Sequence, residues 1–304
     1  MKVKGIYAPK YYAEFECIKD KCRHSCCIGW EIDVDPETLK KYSSLKGETG
    51  EIIRDSITTD AAARFKLAGN RCPHLNNQNL CKIILLLGKD YLCDICRLHP
   101  RFFNETSRGT EVGLGASCEE ACRIILSSDD YLSFIKIGDK RVEEVDFDAP
   151  VFRDKVYSIL SRKDTPYTAR LKEIRDVFSI CPSLISDSDW RKIIASLEYL
   201  NESHKELFLT YSSSLRTEGE EKSLERALAY FIYRHASCAK SYAEFRTALT
   251  FALFCERLLA STLRSLKNTE SGGAEEILRI ISEEIEYSID NTDTLMAEIE
   301  FALQ

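Results

Sequence analysis

The sequence predicts a mainly α protein: a small Cys-rich lobe with short hairpins, followed by a helical bundle. Three observations lead there. Ten of the 13 cysteines fall between Cys17 and Cys122, in a stretch whose apolar runs are short. From Pro150 onward, apolar residues recur at intervals of three and four, the period of a helix face. The chain of 304 residues is also long enough to bury a sizeable core. The expected boundaries are a Cys-rich domain at 1–125, a hairpin connector at 126–149 and a helical domain at 150–304.

Within the first part, RFFNETSRGTEVGLGAS reads as a hairpin turning at Arg108-Gly109. YLSFIKIGDKRVEEVDF reads as a second hairpin turning at Gly138-Asp139. Further on, Trp190, Ile193, Ile194 and Leu197 share one helical face, as do Leu224, Ala227, Leu228, Phe231 and Ile232. Asp187-Ser188-Asp189 offers N-cap residues for the helix carrying Trp190. Gly272-Gly273 breaks the chain before a last helix near 274–302. Cys181, Cys238 and Cys255 sit in helical contexts and read as packing thiols.

Composition narrows the function. A net charge of −7 lacks the basic footprint of a nucleic-acid binder. No apolar run approaches a membrane span, and MKVKGIYAPKYYAEFEC has no signal-peptide core. A cytoplasmic location is expected, without nucleic-acid or membrane partners. Thiols there are kept reduced, so dense cysteines point to metal or cluster binding rather than disulfides.

The cysteines fall in three groups: Cys17-x4-Cys22-x3-Cys26-Cys27, Cys72-x8-Cys81-x11-Cys93-x2-Cys96, and Cys118-x3-Cys122. Cys93 and Cys96 have the spacing at which two thiolates grip one metal or one cluster. On a helix, Cys22 and Cys26 would share a face, and so would Cys118 and Cys122. Adjacent Cys26 and Cys27 point in different directions, so one would ligate while the other packs, or they serve different sites. Zinc and a [4Fe–4S] cluster each want four such ligands, and spacing alone does not separate them. The x8 and x11 separations match neither a zinc finger nor a ferredoxin run. His24, His74 and His99 could each replace a thiolate.

The string Phe15-x-Cys17-x4-Cys22-x3-Cys26-Cys27-x2-Trp30-x-Ile32-x2-Asp35 resembles the flagellin lysine-N-methylase family, which is related to Cys-cluster proteins described as zinc- or iron-chelating. The likeness continues through RCPHL (Arg71 to Leu75), LCKI (Leu80 to Ile83), GKDYLCDICRLHPR (Gly88 to Arg101) and SCEEA (Ser117 to Ala121). A weaker echo is YFIYRH, Tyr230 to His235. The resemblance implies a bacterial enzyme that transfers methyl groups from S-adenosylmethionine to lysine side chains of flagellin and holds a [4Fe–4S] cluster. Position by position, it implies Cys17, Cys22, Cys26, Cys27, Cys72, Cys81, Cys93, Cys96 and Cys118 as the cluster cysteines. The alternatives are a non-catalytic zinc- or iron-binding module and a redox iron–sulfur protein.

No nucleotide-binding fingerprint locates S-adenosylmethionine; Gly113-Leu114-Gly115 lacks the strand–turn–helix setting. Three residues are expected to contact the cofactor. Trp30, with Tyr11 and Tyr12 nearby, could form an aromatic wall for a cation. Arg97 and Arg101 could bind cluster sulfurs or a carboxylate. Glu31, Asp33 and Asp35 alternate, which in an extended segment places them on one face.

Overall fold

The computed structural model describes residues 2–59, 62–213, 219–266 and 273–304. The protein is mainly helical and divides into two compact units. The larger comprises Met1–Phe15 with Arg101–Gln304; the smaller is Glu16–Pro100. This division differs from the expected one at 125 and 149. The reason is the first strand, which pairs with strands more than a hundred residues downstream.

The sheet of the larger unit has four strands: β1 (Lys2–Pro9), β2 (Arg101–Thr106), β3 (Gly109–Leu114) and β4 (Phe134–Val142). Their order is β2-β3-β1-β4. The hairpin expected at Arg108-Gly109 forms, with β2 and β3 antiparallel from Arg101↔Leu114 to Thr106↔Gly109. Gly109 takes a φ of 137°, and a Cβ there would meet the Gly5 carbonyl oxygen at 2.1 Å. Only glycine allows the parallel pairing of β3 with β1 at that point. Gly113 lies within β3 with the Phe102 ring against it, so Gly113-Leu114-Gly115 serves strand packing.

The second expected hairpin does not form. Residues 134–142 make one strand, antiparallel to β1, with a register shift between Ile6 and Tyr7 opposite Gly138. The extra residue is Ile137, so a bulge beside Gly138 and not a turn stands here.

Around this sheet pack the helices. Trp190 and Ile194 are buried on Asp187–Ser196 as expected, but the N-cap is Ser186, whose Oγ accepts from the Asp189 N–H. Leu224, Ala227, Leu228 and Phe231 are buried on Glu221–Phe231. The helix Tyr242–Leu266 is apolar on nearly every side and forms the centre of the unit. The expected last helix is interrupted: Ala274–Ile281 runs into a π-turn at Ser282–Glu286 before Ile289–Leu303. Gly273 precedes it in extended conformation; Gly272 lies outside the described residues.

Several buried charges described in this unit are paired. Arg153 donates to Glu111 at 2.5 Å and lies over the Phe134 ring at 4.7 Å. The YFIYRH string passes into a second π-turn, Ile232–Ala236. There Glu286 accepts from Tyr230 at 2.7 Å and shares a 2.6 Å hydrogen bond with His235. Asn104 donates to the carbonyls of Tyr233 and Arg234, which the π geometry leaves over. No described helix is long and apolar enough to cross a membrane.

Candidate metal centre

The smaller unit holds eight of the cysteines: Cys17, Cys22, Cys26, Cys27, Cys72, Cys81, Cys93 and Cys96. No disulfide forms among them or elsewhere among the described residues. Three segments bring five of these thiols together.

The first segment supplies Cys27. Its carbonyl accepts from the Cys72 N–H at 2.9 Å, and Gly29 donates to the Asn70 carbonyl at 2.7 Å. An isolated bridge between Ile28 and Arg71 continues this zipper. Gly29 has φ +87°, a turn that favours glycine. The second segment is a closed loop from Cys72 to Cys81. Asn76 Oδ1 accepts from the N–H groups of Gln78 and Leu80, both at 2.9 Å, while Arg71 donates to Asn76 and Asn79. Lys82 N–H to the His74 carbonyl, 2.8 Å, and a bridge between Leu75 and Cys81 close its neck. That closure is why eight intervening residues leave Cys72 and Cys81 neighbours.

The third segment is Cys93 at the N-cap of the short helix Asp94–Leu98, with Cys96 one turn on. It is tied down twice. Asp35 accepts from Thr38 N–H at 2.9 Å, capping the helix Pro36–Ser44, and from Asp94 N–H at 2.9 Å. Tyr42, fully buried, donates to the Tyr91 carbonyl at 2.6 Å, and its oxygen lies 3.7 Å from Cys93 Sγ.

The five thiols share one apolar surround that includes Ile32, Val34, Tyr42, Ile53, Phe65 and Ile83. Cys93 and Cys72 are 1% and 6% exposed. Each thiol perturbs the others. Cys96 donates to Cys93, lowering the Cys93 value and raising its own. A hydrogen bond from Cys26 brings Cys27 down to about 7. Burial pushes Cys72 up to about 11 and also raises Cys81. Crowded, half-desolvated thiols of this kind are held apart in charge until a cation neutralises them.

The donor set fits a four-thiolate group, with one sulfur in excess. Its spacing is informative. A zinc tetrahedron with bonds of about 2.3 Å places its sulfurs about 3.8 Å apart. Among the described residues, the one trio of ligand atoms all within 4.8 Å is His204, Glu283 and Glu284, in the larger unit. No three of the described thiol sulfurs lie within 4.8 Å of one another.

Of the remaining expected ligands, Cys26 is exposed and hydrogen-bonds Cys27, Cys17 is exposed, and Cys22 donates to the His24 carbonyl at 3.0 Å. Cys22 and Cys26 do not share a helix face: Cys22 ends a 3-10 turn, Lys19–Lys21, and the next residues are not helical. Cys118 belongs to the larger unit, at the N-cap of Glu119–Ser127 and against that unit's core. Cys122 is buried on the same helix and donates to the Glu275 carbonyl. His74 shares a 2.9 Å hydrogen bond with Ser56, and burial holds it down at about 4, so it is a neutral packing residue beside Phe65.

The expected cofactor contacts divide in the same way. Trp30 is half-buried in the smaller unit. Arg97 is exposed and pairs with Asp94 at 2.5 Å. Arg101 is in the larger unit, where it donates to the Tyr12 hydroxyl at 2.9 Å and lies over the Phe15 ring. Tyr11 is buried in the larger core, so it does not join Trp30 in one wall within a unit. Glu31 and Asp33 point to solvent while Ile32 and Val34 face inward; Glu31 pairs with Arg64 at 2.5 Å. Asp35 and Tyr42 are the positioning residues that cysteine spacing did not reveal. Asp35-Pro36 carried a readable N-cap signal.

Two proteins named Lysine-N-methylase, from Salmonella typhimurium and Salmonella choleraesuis, are each 29% identical to the chain over 161 residues. That is 50% of this chain and 39% of each methylase, so the match spans well under half the relatives' length. The flagellar biosynthetic protein FliU of Salmonella muenchen is 29% identical over 149 residues, 46% of this chain and 86% of its own length. No family model and no solved structure matches. Over about half its length the chain is thus similar to two proteins named lysine-N-methylase and to a flagellar biosynthetic protein.

Proposed function

We propose that the chain is a protein lysine N-methyltransferase that uses S-adenosylmethionine, acts on flagellin in the cytoplasm, and holds a [4Fe–4S] cluster in its smaller unit. The observation that carries the cluster is the convergence of Cys27, Cys72, Cys81, Cys93 and Cys96. The relatives named lysine-N-methylase and FliU support the reaction and the flagellar substrate. A bound cluster would supply an electron reservoir and would fix three separate chain segments around one point.

This chain's residues do the holding. Asp35 and Tyr42 fix the segment that carries Cys93 and Cys96, and the Asn76 turn fixes Cys72 against Cys81. Methyl transfer further requires a neutral, desolvated lysine amine aimed at the sulfonium methyl.

The test is purification under anaerobic conditions, metal analysis, and incubation with labelled S-adenosylmethionine and flagellin. Iron-loaded protein should incorporate label into flagellin lysines, and Cys93→Ser should incorporate none. Colourless zinc-loaded protein without incorporation would replace this reading with a non-catalytic metal module. Iron-loaded protein that leaves flagellin unlabelled would leave a redox role.

A further inference from the structure

The smaller unit, Glu16–Pro100, is built from elements too short to stand alone. Its longest described helices, Pro36–Ser44 and Gly47–Asp55, have nine residues each. Its described sheet pairs two strands of two residues, Ile57–Thr58 and Arg64–Phe65. Isolated helices under about 12 residues and two-stranded ribbons are marginal in water, so tertiary packing must hold these elements.

That packing is thin. Ten apolar residues are buried in the core of the unit, and two of them are the cage thiols Cys72 and Cys93. The core of the larger unit has 52, and no residue belongs to both. Apolar side chains also stay outside: Leu85 and Leu86 on the helix Lys82–Leu87 are 59% and 65% exposed, and Ile52 is 57% exposed. A core this small offsets little of the entropy of ordering the chain around it, and natural units so placed add a disulfide or a structural metal. No disulfide is present among the described residues, whereas Cys27, Cys72, Cys81, Cys93 and Cys96 bring three segments to one place.

The two ends of the unit are fixed elsewhere. Phe15, the last residue before it, and Arg101, the first after it, both belong to the larger unit. There the Arg101 guanidinium donates to the Tyr12 hydroxyl at 2.9 Å and lies 5.2 Å from the centre of the Phe15 ring, while the Arg101 backbone pairs with Leu114. Opening of Glu16–Pro100 therefore breaks no strand pair of the four-stranded sheet.

We propose that the smaller unit opens and closes by itself, and that metal in its cage is what keeps it closed. Metal loss is then a local event: Glu16–Pro100 loosens while the larger unit stays folded. The proposal rests on the reading that the cage binds metal. It holds for zinc as for an iron–sulfur cluster, since either ties the thiolates together.

Hydrogen–deuterium exchange on the full chain, read peptide by peptide by mass spectrometry, is the experiment. Anaerobically purified protein of measured metal content is compared with the same protein stripped by ferricyanide and EDTA and then reduced with dithiothreitol. Peptides of Glu16–Pro100 should exchange about a hundredfold or more faster once stripped, because binding no longer opposes opening. Peptides of the helix Tyr242–Leu266 and of β2 and β3 should change less than about twofold. Cys93→Ser should show the same pattern without stripping. The proposal is overturned if metal-loaded protein, once stripped, keeps the exchange of Glu16–Pro100 within about threefold. It is also overturned if peptides of the larger unit speed up by the same factor, which would make the chain one cooperative unit. Protein that carries no metal as purified overturns the reading it rests on as well, and the metal measurement tells that failure from the other two.

Discussion

The hydroxyl of Tyr42 is a single atom on which the position of Cys93 depends. It donates at 2.6 Å to the carbonyl of Tyr91, two residues before Cys93, and lies 3.7 Å from the Cys93 sulfur. Tyr42→Phe deletes that oxygen and keeps the ring, which lies 6.2 Å from Phe65, so no cavity opens. What is lost is one hydrogen bond, together with the desolvation of the carbonyl left behind, about 1–2 kcal/mol. Cys93 is 1% exposed, so its thiol reacts only when the segment opens. Its alkylation rate in metal-free, reduced protein then tracks the opening equilibrium. A loss of that size raises the rate about 5- to 30-fold. The assay is timed iodoacetamide labelling with peptide mass analysis, with exposed Cys181 as an internal reference whose rate should not change. A change in Cys93 labelling of less than twofold would refute the view that this hydroxyl holds the Cys93–Cys96 segment.

Asp35→Ala should remove both the cap on Pro36–Ser44 and the tie to Asp94. It should destabilise the smaller unit by about 1–3 kcal/mol, read by urea titration, and reduce metal content on purification. Arg153→Met leaves the Glu111 carboxylate buried without its cation, and should cost about 3–5 kcal/mol, measured by thermal unfolding. The Glu286 carboxylate is buried, which alone would raise its value, but Arg234 and His235 hold it down at about 2. A lowered carboxyl stabilises the fold fully above its ordinary value near 4.5 and loses that contribution as pH falls toward 2. The contribution is about 3 kcal/mol. Glu286→Gln should therefore flatten the acid limb of a stability-versus-pH curve, and an unchanged limb would contradict the assignment.

What could be read from the sequence was local. Arg108-Gly109 predicted its hairpin because turn and strands are contiguous. The helical faces around Trp190 and Leu224 were legible because each repeats at its own period. The misreading of Gly138-Asp139 came from a bulge beside Gly138, in a strand whose partner, Lys2–Pro9, is remote in sequence. The parallel pairing of Gly5 with Gly109 has no local signal at all. For the cysteines, spacing suggested metal or cluster chemistry but not which thiols gather in the smaller unit. Cys72 and Cys81 are neighbours because Asn76 folds the intervening loop back, and Cys27 joins them by backbone pairing. Cys118 folds with the larger unit, which its spacing from the other cysteines does not signal. The π-turns at Ile232–Ala236 and Ser282–Glu286 left only the YFIYRH string as a trace, because an inserted residue in a helix does not disturb composition.

Metal content of anaerobically purified protein, parent beside Cys93→Ser, tests the proposed centre most directly. About four irons per chain in the parent and none in Cys93→Ser is the expected result. A parent protein free of metal, or a Cys93→Ser protein with the same iron content, would contradict it.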